Sequence, residues 1–278
     1  MQNMKHTYLF ILFNLLMSTQ LFAQSSSPTF ILVHGGWHGA WCWKKVVPLM
    51  KEKSIKVMAI DLPGHGDDKT PTASVTLNDY VNKVIEVANQ VDGKVVLLGH
   101  SSGGTVIAQA AELLTPEKVS SLVFLDAFMP LNGESVFSIV EKYPNKPDGN
   151  KGAALAESII FSPDQKTSIL NLDKVQELLY HDCSEADIAF AKSKLGAQPM
   201  APQITPVSVT DKNYGATPKY YILCTEAKDF NKAKIAFNVP CKIIYRLKSS
   251  HSPFFSMPEQ LVAILDDLYK QLTVAEAQ

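Results

Sequence analysis

Residues 99–103 have the sequence Gly-His-Ser-Ser-Gly, in which Ser101 lies between two glycines. The preceding residues 95–98 (Val-Val-Leu-Leu) form an apolar run typical of a buried strand. Residues 105–114 then have helical spacing up to Pro116. A G-x-S-x-G sequence between a strand and a helix indicates a nucleophile elbow, a sharp turn that exposes a serine hydroxyl. Ser101 is therefore the candidate nucleophile; the alternative is an ordinary glycine-rich turn.

The other groups that serine chemistry needs also follow predicted strands. A serine hydroxyl becomes a good nucleophile only when a base accepts its proton, and His251 lies in a loop after the last predicted strand. A carboxylate must then hold the imidazole in the correct tautomer. Asp126 ends a buried strand and so falls on the ligand-binding edge of a parallel sheet. The chain order of serine, acid and histidine is the one that this kind of elbow requires.

A glycine-rich loop at residues 34–41 follows the first strand and predicts an oxyanion hole. Its donors would be the backbone N–H groups of Gly36 and Ser102, the residue after the nucleophile. We interpret His34 as a structural hydrogen-bonding residue, whereas His38 either lines a pocket or is exposed. The predicted apolar pocket residues are Trp37, His38, Phe128, Met129, Phe254 and Phe255.

The elements that must position these groups alternate along the chain. Strands are predicted at residues 29–33, 56–60, 95–98, 119–125, 219–224 and 241–247, and the main helices between them at 43–53, 77–91, 105–114 and 258–272. This alternation predicts an α/β fold with a doubly wound, mostly parallel sheet. Residues 128–205 show no strand signal, a breaker-rich loop at 141–150, and helices at 173–180 and 184–195. We expect this segment to be a helical cap inserted over the site.

Composition limits the classes of partner. The chain has 278 residues with a formal net charge of −1, which gives no reason to expect nucleic acid or an anionic membrane. The four cysteines contain no C-x-x-C pair, so no metal site is predicted. We expect Cys42, Cys183, Cys224 and Cys241 to be free. A small-molecule substrate is the expected partner, and a homodimer remains open.

The N-terminus resembles an export signal. Lys5 and His6 precede an apolar run at residues 8–17, and a more polar stretch ends at the small residue Ala23. This pattern predicts a signal peptide at residues 1–23, a mature chain of residues 24–278 without membrane association, and export to the periplasm or the exterior. The alternative is an uncleaved anchor, for which the apolar run is short.

Five segments together resemble one branch of the α/β hydrolases, the plant methylesterases and hydroxynitrile lyases with their bacterial esterase relatives. The segments are residues 34–41 (His-Gly-Gly-Trp-His-Gly-Ala-Trp), 99–104, 124–130 (Phe-Leu-Asp-Ala-Phe-Met-Pro), 224–226 (Cys-Thr-Glu) and 251–253 (His-Ser-Pro). The resemblance implies the α/β-hydrolase fold, an inserted helical cap, hydrolysis of small esters, and no metal or organic cofactor.

The chain departs from that branch at the acid. Members usually carry the catalytic aspartate directly after Cys-Thr-Glu or Cys-Thr-Gln, where this sequence has Ala227. Asp126 is the first candidate, since some α/β hydrolases place their acid after the strand that follows the elbow helix. Asp229 and Glu226 lie in the usual loop but at shifted positions, and a site without an acid is the remaining alternative.

Two other functions are weighed against an esterase. Hydroxynitrile lyases of the branch resemble one another in a threonine after the first loop histidine and a lysine after the catalytic one, where this chain has Gly35 and Ser252. The positive charge that would stabilise cyanide is therefore absent. A non-catalytic small-molecule-binding protein is the second alternative, because a fold alone does not determine activity and Ala227 leaves the usual acid position empty.

Overall fold

A computed structural model describes residues 27–144 and 153–276. The signal peptide predicted at residues 1–23 and part of the loop predicted at 141–150 lie outside these ranges. The strands are β1 (Thr29–Val33), β2 (Val57–Ile60), β3 (Val95–His100), β4 (Val119–Leu125), β5 (Ile159–Phe161), β6 (Thr167–Leu170), β7 (Gln198–Pro199), β8 (Lys219–Cys224) and β9 (Ile243–Leu247).

Helices connect the strands. They are α1 (Val46–Glu52), α2 (Leu77–Asn89), α3 (Gly103–Lys118), α4 (Val136–Lys142), α5 (Ala153–Ser158), α6 (Val175–Leu179), α7 (Glu185–Lys194), α8 (Ala201–Ile204), α9 (Lys232–Ile235), α10 (Pro253–Ser256) and α11 (Pro258–Glu276). None of the helices within the described ranges combines the length and the apolar character that a membrane crossing requires.

Six strands form one sheet in the order β2-β1-β3-β4-β8-β9, and every neighbouring pair is parallel. Residues of α1 and α11 pack with one face, while residues of α2 and α3 pack with the other. The predicted α/β fold with a doubly wound sheet is therefore confirmed. Since all six strands run the same way, their carboxyl ends share one edge, and the loops that follow β1, β3, β4, β8 and β9 converge there.

The elbow helix ends where its proline predicts. Thr115, with φ of 63°, interrupts α3 directly before Pro116. The Pro ring disfavours helical backbone in the residue before it, and its missing N–H removes one helical hydrogen bond. Residues 103–114 thus form the continuous part of the helix that supports the nucleophile turn.

The segment between β4 and β8 is not purely helical, so the prediction of no strand there was wrong. Strands β5, β6 and β7 form an antiparallel sheet beside the short helices α4 to α8. The strands are two to four residues long, which is too short to produce a recognisable alternation of apolar and polar residues. The hairpin closes through Gln165, a residue with φ of 56°.

The four cysteines are free, as predicted. Cys42 and Cys224 are buried, whereas Cys183 and Cys241 are half-buried. Burial raises the pKa of the Cys42 and Cys224 thiols well above its ordinary value, so both are neutral and behave as small apolar core residues.

Candidate active site

The turn after β3 places Ser101 in a strained conformation. Its φ is 53°, and its N–H donates to the Leu125 carbonyl at 3.2 Å. A Cβ atom on Gly99 would lie 2.6 Å from the Gly103 carbonyl oxygen, so that position admits only glycine. A non-glycine residue with positive φ is maintained by its surroundings and is common at functional sites. The structure therefore has the elbow that residues 99–103 predict, with Ser101 lining a cavity.

The loop after β1 lies directly against Ser101, the candidate nucleophile. A Cβ atom on Gly35 would come within 2.7 Å of the Ser101 Cβ. Within the described ranges, neither the Gly36 N–H nor the Ser102 N–H donates a hydrogen bond to another group. Both residues line the cavity beside Ser101. Two unpaired backbone donors next to a nucleophile are what an oxyanion hole requires.

His34 has the structural role that its position predicts. The Leu62 N–H donates to Nε2 at 3.1 Å, so Nδ1 carries the proton and donates to the Gly35 carbonyl at 2.8 Å. His38 is buried and lines the cavity. Its Nδ1 lies 2.8 Å from the Gly36 carbonyl, and the Tyr180 hydroxyl donates to Nε2 at 2.7 Å. Both rings fix the shape of the glycine-rich loop.

Asp126 is the carboxylate that forms a hydrogen bond with His251. Oδ2 of Asp126 lies 2.7 Å from Nδ1 of His251, and Oδ1 accepts the Cys224 N–H at 3.2 Å. Asp126 is fully buried, and its φ of 43° bends the chain at the end of β4 so that the carboxylate faces the histidine loop. No hydrogen bond joins the Ser101 hydroxyl to His251 among the described residues, although both line one cavity. Such contacts often tighten only when substrate binds.

The other two candidate acids lie differently. Asp229 is buried, with Oδ2 at 3.4 Å from Nδ1 of His251 and 2.6 Å from the Lys232 ammonium. Glu226 is 44% exposed at its side chain and pairs with Lys248 at 3.6 Å, so the structure places it outside the site. Ala227 is buried and carries no acid. Nδ1 of His251 therefore has two carboxylates in reach and a hydrogen bond to one.

Asp126, Asp229 and His251 are close enough together to ligate a cation. The Lys232 ammonium lies 2.6 Å from Asp229 and 3.7 Å from Asp126 and already supplies a positive charge to both carboxylates.

The cavity beside Ser101 has a volume of about 210 Å³. Of the predicted pocket residues, Trp37, His38 and Phe128 line it, whereas Met129, Phe254 and Phe255 do not. All three of the latter are buried in the core. Met129 packs beside Cys241, and Phe254 packs edge-on against His100.

Most of the cavity wall was not anticipated from the sequence. The segment after β4 supplies an apolar wall made of Val136, Phe137, Val140, Leu155, Ile159, Phe161 and Met200. Gln198 accepts the Trp37 N–H at 3.0 Å and thereby connects this segment to the glycine-rich loop. Within residues 27–144 and 153–276, no lysine, arginine, aspartate or glutamate lines the cavity. Only the position of the segment between β4 and β8 indicated that it would cover the site.

Buried histidines make the fold sensitive to acid. Burial lowers the pKa of His34 and of His38 to about 3, and that of His65 to about 4. In the unfolded chain each ring binds a proton near pH ~6.5, so below that pH the unfolded state holds more protons. We expect the free energy of unfolding to fall as pH drops from 6.5 towards 4, by up to about 1.4 kcal/mol per pH unit for each ring.

Urea unfolding at pH 7.5 and pH 5 measures this loss. The His65→Gln variant should be less stable at pH 7.5, but its stability should depend less steeply on pH. Equal stability of the native sequence at the two pH values would contradict the assignment of neutral buried rings.

The fold and this site define an α/β hydrolase. The model of the alpha/beta hydrolase family matches residues 30–264, and the chain belongs to that family. It is 34% identical over 250 residues to putative methylesterase 11, chloroplastic, of Arabidopsis thaliana, covering 85% of this chain and 62% of the relative. The chain thus spans about three fifths of that relative's length.

Two other relatives are matched over nearly their whole length. Methylesterase 1 of Arabidopsis thaliana is 31% identical over 253 residues, with 84% of this chain and 92% of the relative covered. The crystal structure of polyneuridine aldehyde esterase superposes with a TM-score of 0.76 at 29% identity, covering 87% of this chain and 99% of that one. The named relatives are thus esterases, in agreement with the resemblance found in the sequence.

Proposed function

We propose that this protein is a serine esterase that hydrolyses small, neutral carboxylic esters through an acyl-enzyme intermediate. One observation carries the proposal: the Ser101 elbow, the His251–Asp126 pair and two backbone N–H groups that have no acceptor among the described residues meet at one apolar cavity. The similarity to methylesterases supports it.

The reaction follows from the roles of these groups. His251 Nε2 accepts the Ser101 proton while Oγ attacks the ester carbonyl carbon, and the Gly36 and Ser102 N–H groups hold the oxyanion. His251 then donates the proton to the departing alkoxide, and the alcohol leaves an acylated serine. Water, deprotonated by His251, attacks the acyl carbon and releases the carboxylic acid. Asp126 holds the Nδ1–H of His251 throughout and stabilises the imidazolium.

Asp126 is the better assignment for the triad acid than Asp229. Its oxygen is the closer one to Nδ1 of His251, at 2.7 Å against 3.4 Å. The Asp229 oxygen that faces His251 is the same one that accepts from the Lys232 ammonium at 2.6 Å. Since Asp126 supplies an acid, Ala227 no longer favours a binding protein without catalysis.

The cavity predicts a preference for uncharged esters. Among the described residues, its lining holds no lysine, arginine, aspartate or glutamate that could pair with an ionic substrate, and burying an unpaired carboxylate costs several kcal/mol. Its volume of about 210 Å³ is below the ~300–1,000 Å³ of pockets for drug-sized ligands. We expect kcat/KM for p-nitrophenyl 4-methylpentanoate to exceed that for the nearly isosteric p-nitrophenyl hemisuccinate anion by about 100-fold or more.

The test measures both esters with the native sequence and with Ser101→Ala as the background. Equal rates for the two esters would contradict the neutral-substrate assignment. No turnover of any neutral ester above the Ser101→Ala background would overturn the esterase proposal and favour a small-molecule-binding protein.

We also propose that the chain is exported, on the pattern of residues 1–23. Mass spectrometry of the protein recovered from the source cells should give an N-terminus near residue 24 in the exported fraction. A full-length chain confined to the cytoplasm would contradict export.

A further inference from the structure

Lys232 is a buried lysine with no part in the reaction described above. Its side chain is 2% exposed, and Nζ lies 2.6 Å from Asp229 Oδ2 and 3.7 Å from Asp126 Oδ2. The ammonium also lies 4.9 Å from the centre of the Phe128 ring, a cavity residue. A lysine is almost never buried so completely without a charged partner. Here it has two, and both reach His251.

Asp229 and Asp126 differ in the groups that their carboxylate oxygens contact. Asp229 directs one oxygen at both Lys232 and His251, and its other oxygen has no hydrogen-bond partner among the described residues. Asp126 uses one oxygen for the Cys224 N–H and the other for His251. The Lys232 ammonium thus balances the negative charge of Asp229, and Asp126 accepts the Nδ1–H of His251.

The charge balance at His251 depends on this pairing. A second uncompensated carboxylate beside an imidazole stabilises the imidazolium further and extends its protonated range to higher pH, and a protonated ring cannot accept a serine proton. One ammonium cancels one of the two negative charges. Burial raises the pKa of the Asp229 carboxyl, but the charge that His251 carries when protonated, the charge of Lys232 and the hydrogen bond from its ammonium together hold that pKa below its ordinary value.

Two buried histidines and one buried thiol near His251 stay uncharged near neutral pH. His100 packs on His251 at 4.4 Å between ring centres, and burial lowers its pKa well below the ordinary range. Burial likewise lowers the pKa of His38 to about 3 and raises that of the Cys224 thiol well above its usual value. The Asp182 carboxylate accepts the Ser250 N–H at 2.8 Å. It is therefore a third carboxylate, after Asp126 and Asp229, near the loop that carries His251.

We propose that Lys232 is a positioning residue of the active site: by pairing with Asp229 it leaves Asp126 as the acid of His251 and keeps the imidazole available as a base at neutral pH. This inference rests on the proposed esterase function. It assigns Asp229 a defined role, that of counter-ion to Lys232.

The test compares Lys232→Met, Asp229→Asn and the double variant. Loss of the lysine charge should move the acidic limb of the kcat/KM profile to higher pH by about one unit, which lowers kcat/KM on that limb by up to about tenfold. Asp229→Asn should move the limb to lower pH. The double variant removes one charge of each sign. The acidic limb of its kcat/KM profile should therefore lie within about 0.3 pH unit of the native one.

A buried lysine elsewhere provides the matched control. Lys219 donates to the Tyr214, Gly215 and Thr217 carbonyls and lies outside the cavity. Lys219→Met should lower the thermal midpoint and leave the pH profile unmoved. If Lys232→Met behaves in the same way, Lys232 is a packing residue only, and the inference is overturned.

A readout that needs no substrate separates this inference from the esterase proposal. The imidazole titration of His251, followed by NMR and assigned by its loss in His251→Gln, should shift upwards in Lys232→Met and return in the double variant. The shift without ester turnover would support the charge pairing and overturn only the esterase. Turnover without the shift would overturn only the role of Lys232.

Discussion

Replacing Ser101 with alanine is expected to lower kcat for a neutral ester by about 10⁶-fold, because the acyl-enzyme route needs this oxygen. KM should change little, since the cavity wall and the backbone donors at Gly36 and Ser102 remain. Release of p-nitrophenol from p-nitrophenyl butyrate measures the loss.

Ser121 provides the matched control for that substitution. It is a fully buried serine on β4 whose hydroxyl donates to the Ser120 carbonyl, away from the cavity. Ser121→Ala should retain turnover within about twofold. Comparable activity in Ser101→Ala and the native protein would show that another residue is the nucleophile.

Replacing Asp126 with asparagine is expected to lower kcat by about 10³- to 10⁴-fold at neutral pH. An amide at this position no longer stabilises the imidazolium and favours the wrong tautomer of the ring. Asp229→Asn should cost less than about tenfold, because Asp126 still accepts the Nδ1–H of His251 at 2.7 Å.

These two variants decide which carboxylate is the acid. Steady-state rates on one neutral ester, with folding verified by circular dichroism, suffice. If Asp229→Asn loses as much as Asp126→Asn, the two carboxylates share the role; if it loses more, the assignment to Asp126 is wrong.

The turn that carries Ser101 was predictable because its signals are local. Strand, elbow and helix are contiguous at residues 95–114, and the glycines that the turn requires are visible in the sequence. Asp126 was predictable for a different reason: parallel strands bring their carboxyl ends to one edge, so a carboxylate after β4 had to lie near the loop after β9.

The cavity wall and Lys232 were not predictable by these rules. Strand β5 has three residues and helix α9 has four, so neither produces a readable period. Nothing in the spacing of Asp229 and Lys232 shows that both turn inwards. Met129 and Phe254 were misplaced because nearness in sequence to Phe128 or His251 does not determine which way a side chain points.

Covalent trapping of Ser101 tests the central claim most directly. The native protein and Ser101→Ala would be incubated with diethyl p-nitrophenyl phosphate, which phosphorylates activated serines, and analysed by peptide mass spectrometry. The account predicts one adduct per chain, on the peptide that contains Ser101, with none in the variant and slow labelling in Asp126→Asn. Labelling at another residue, or equal labelling of the native protein and the Ser101→Ala variant, would contradict it.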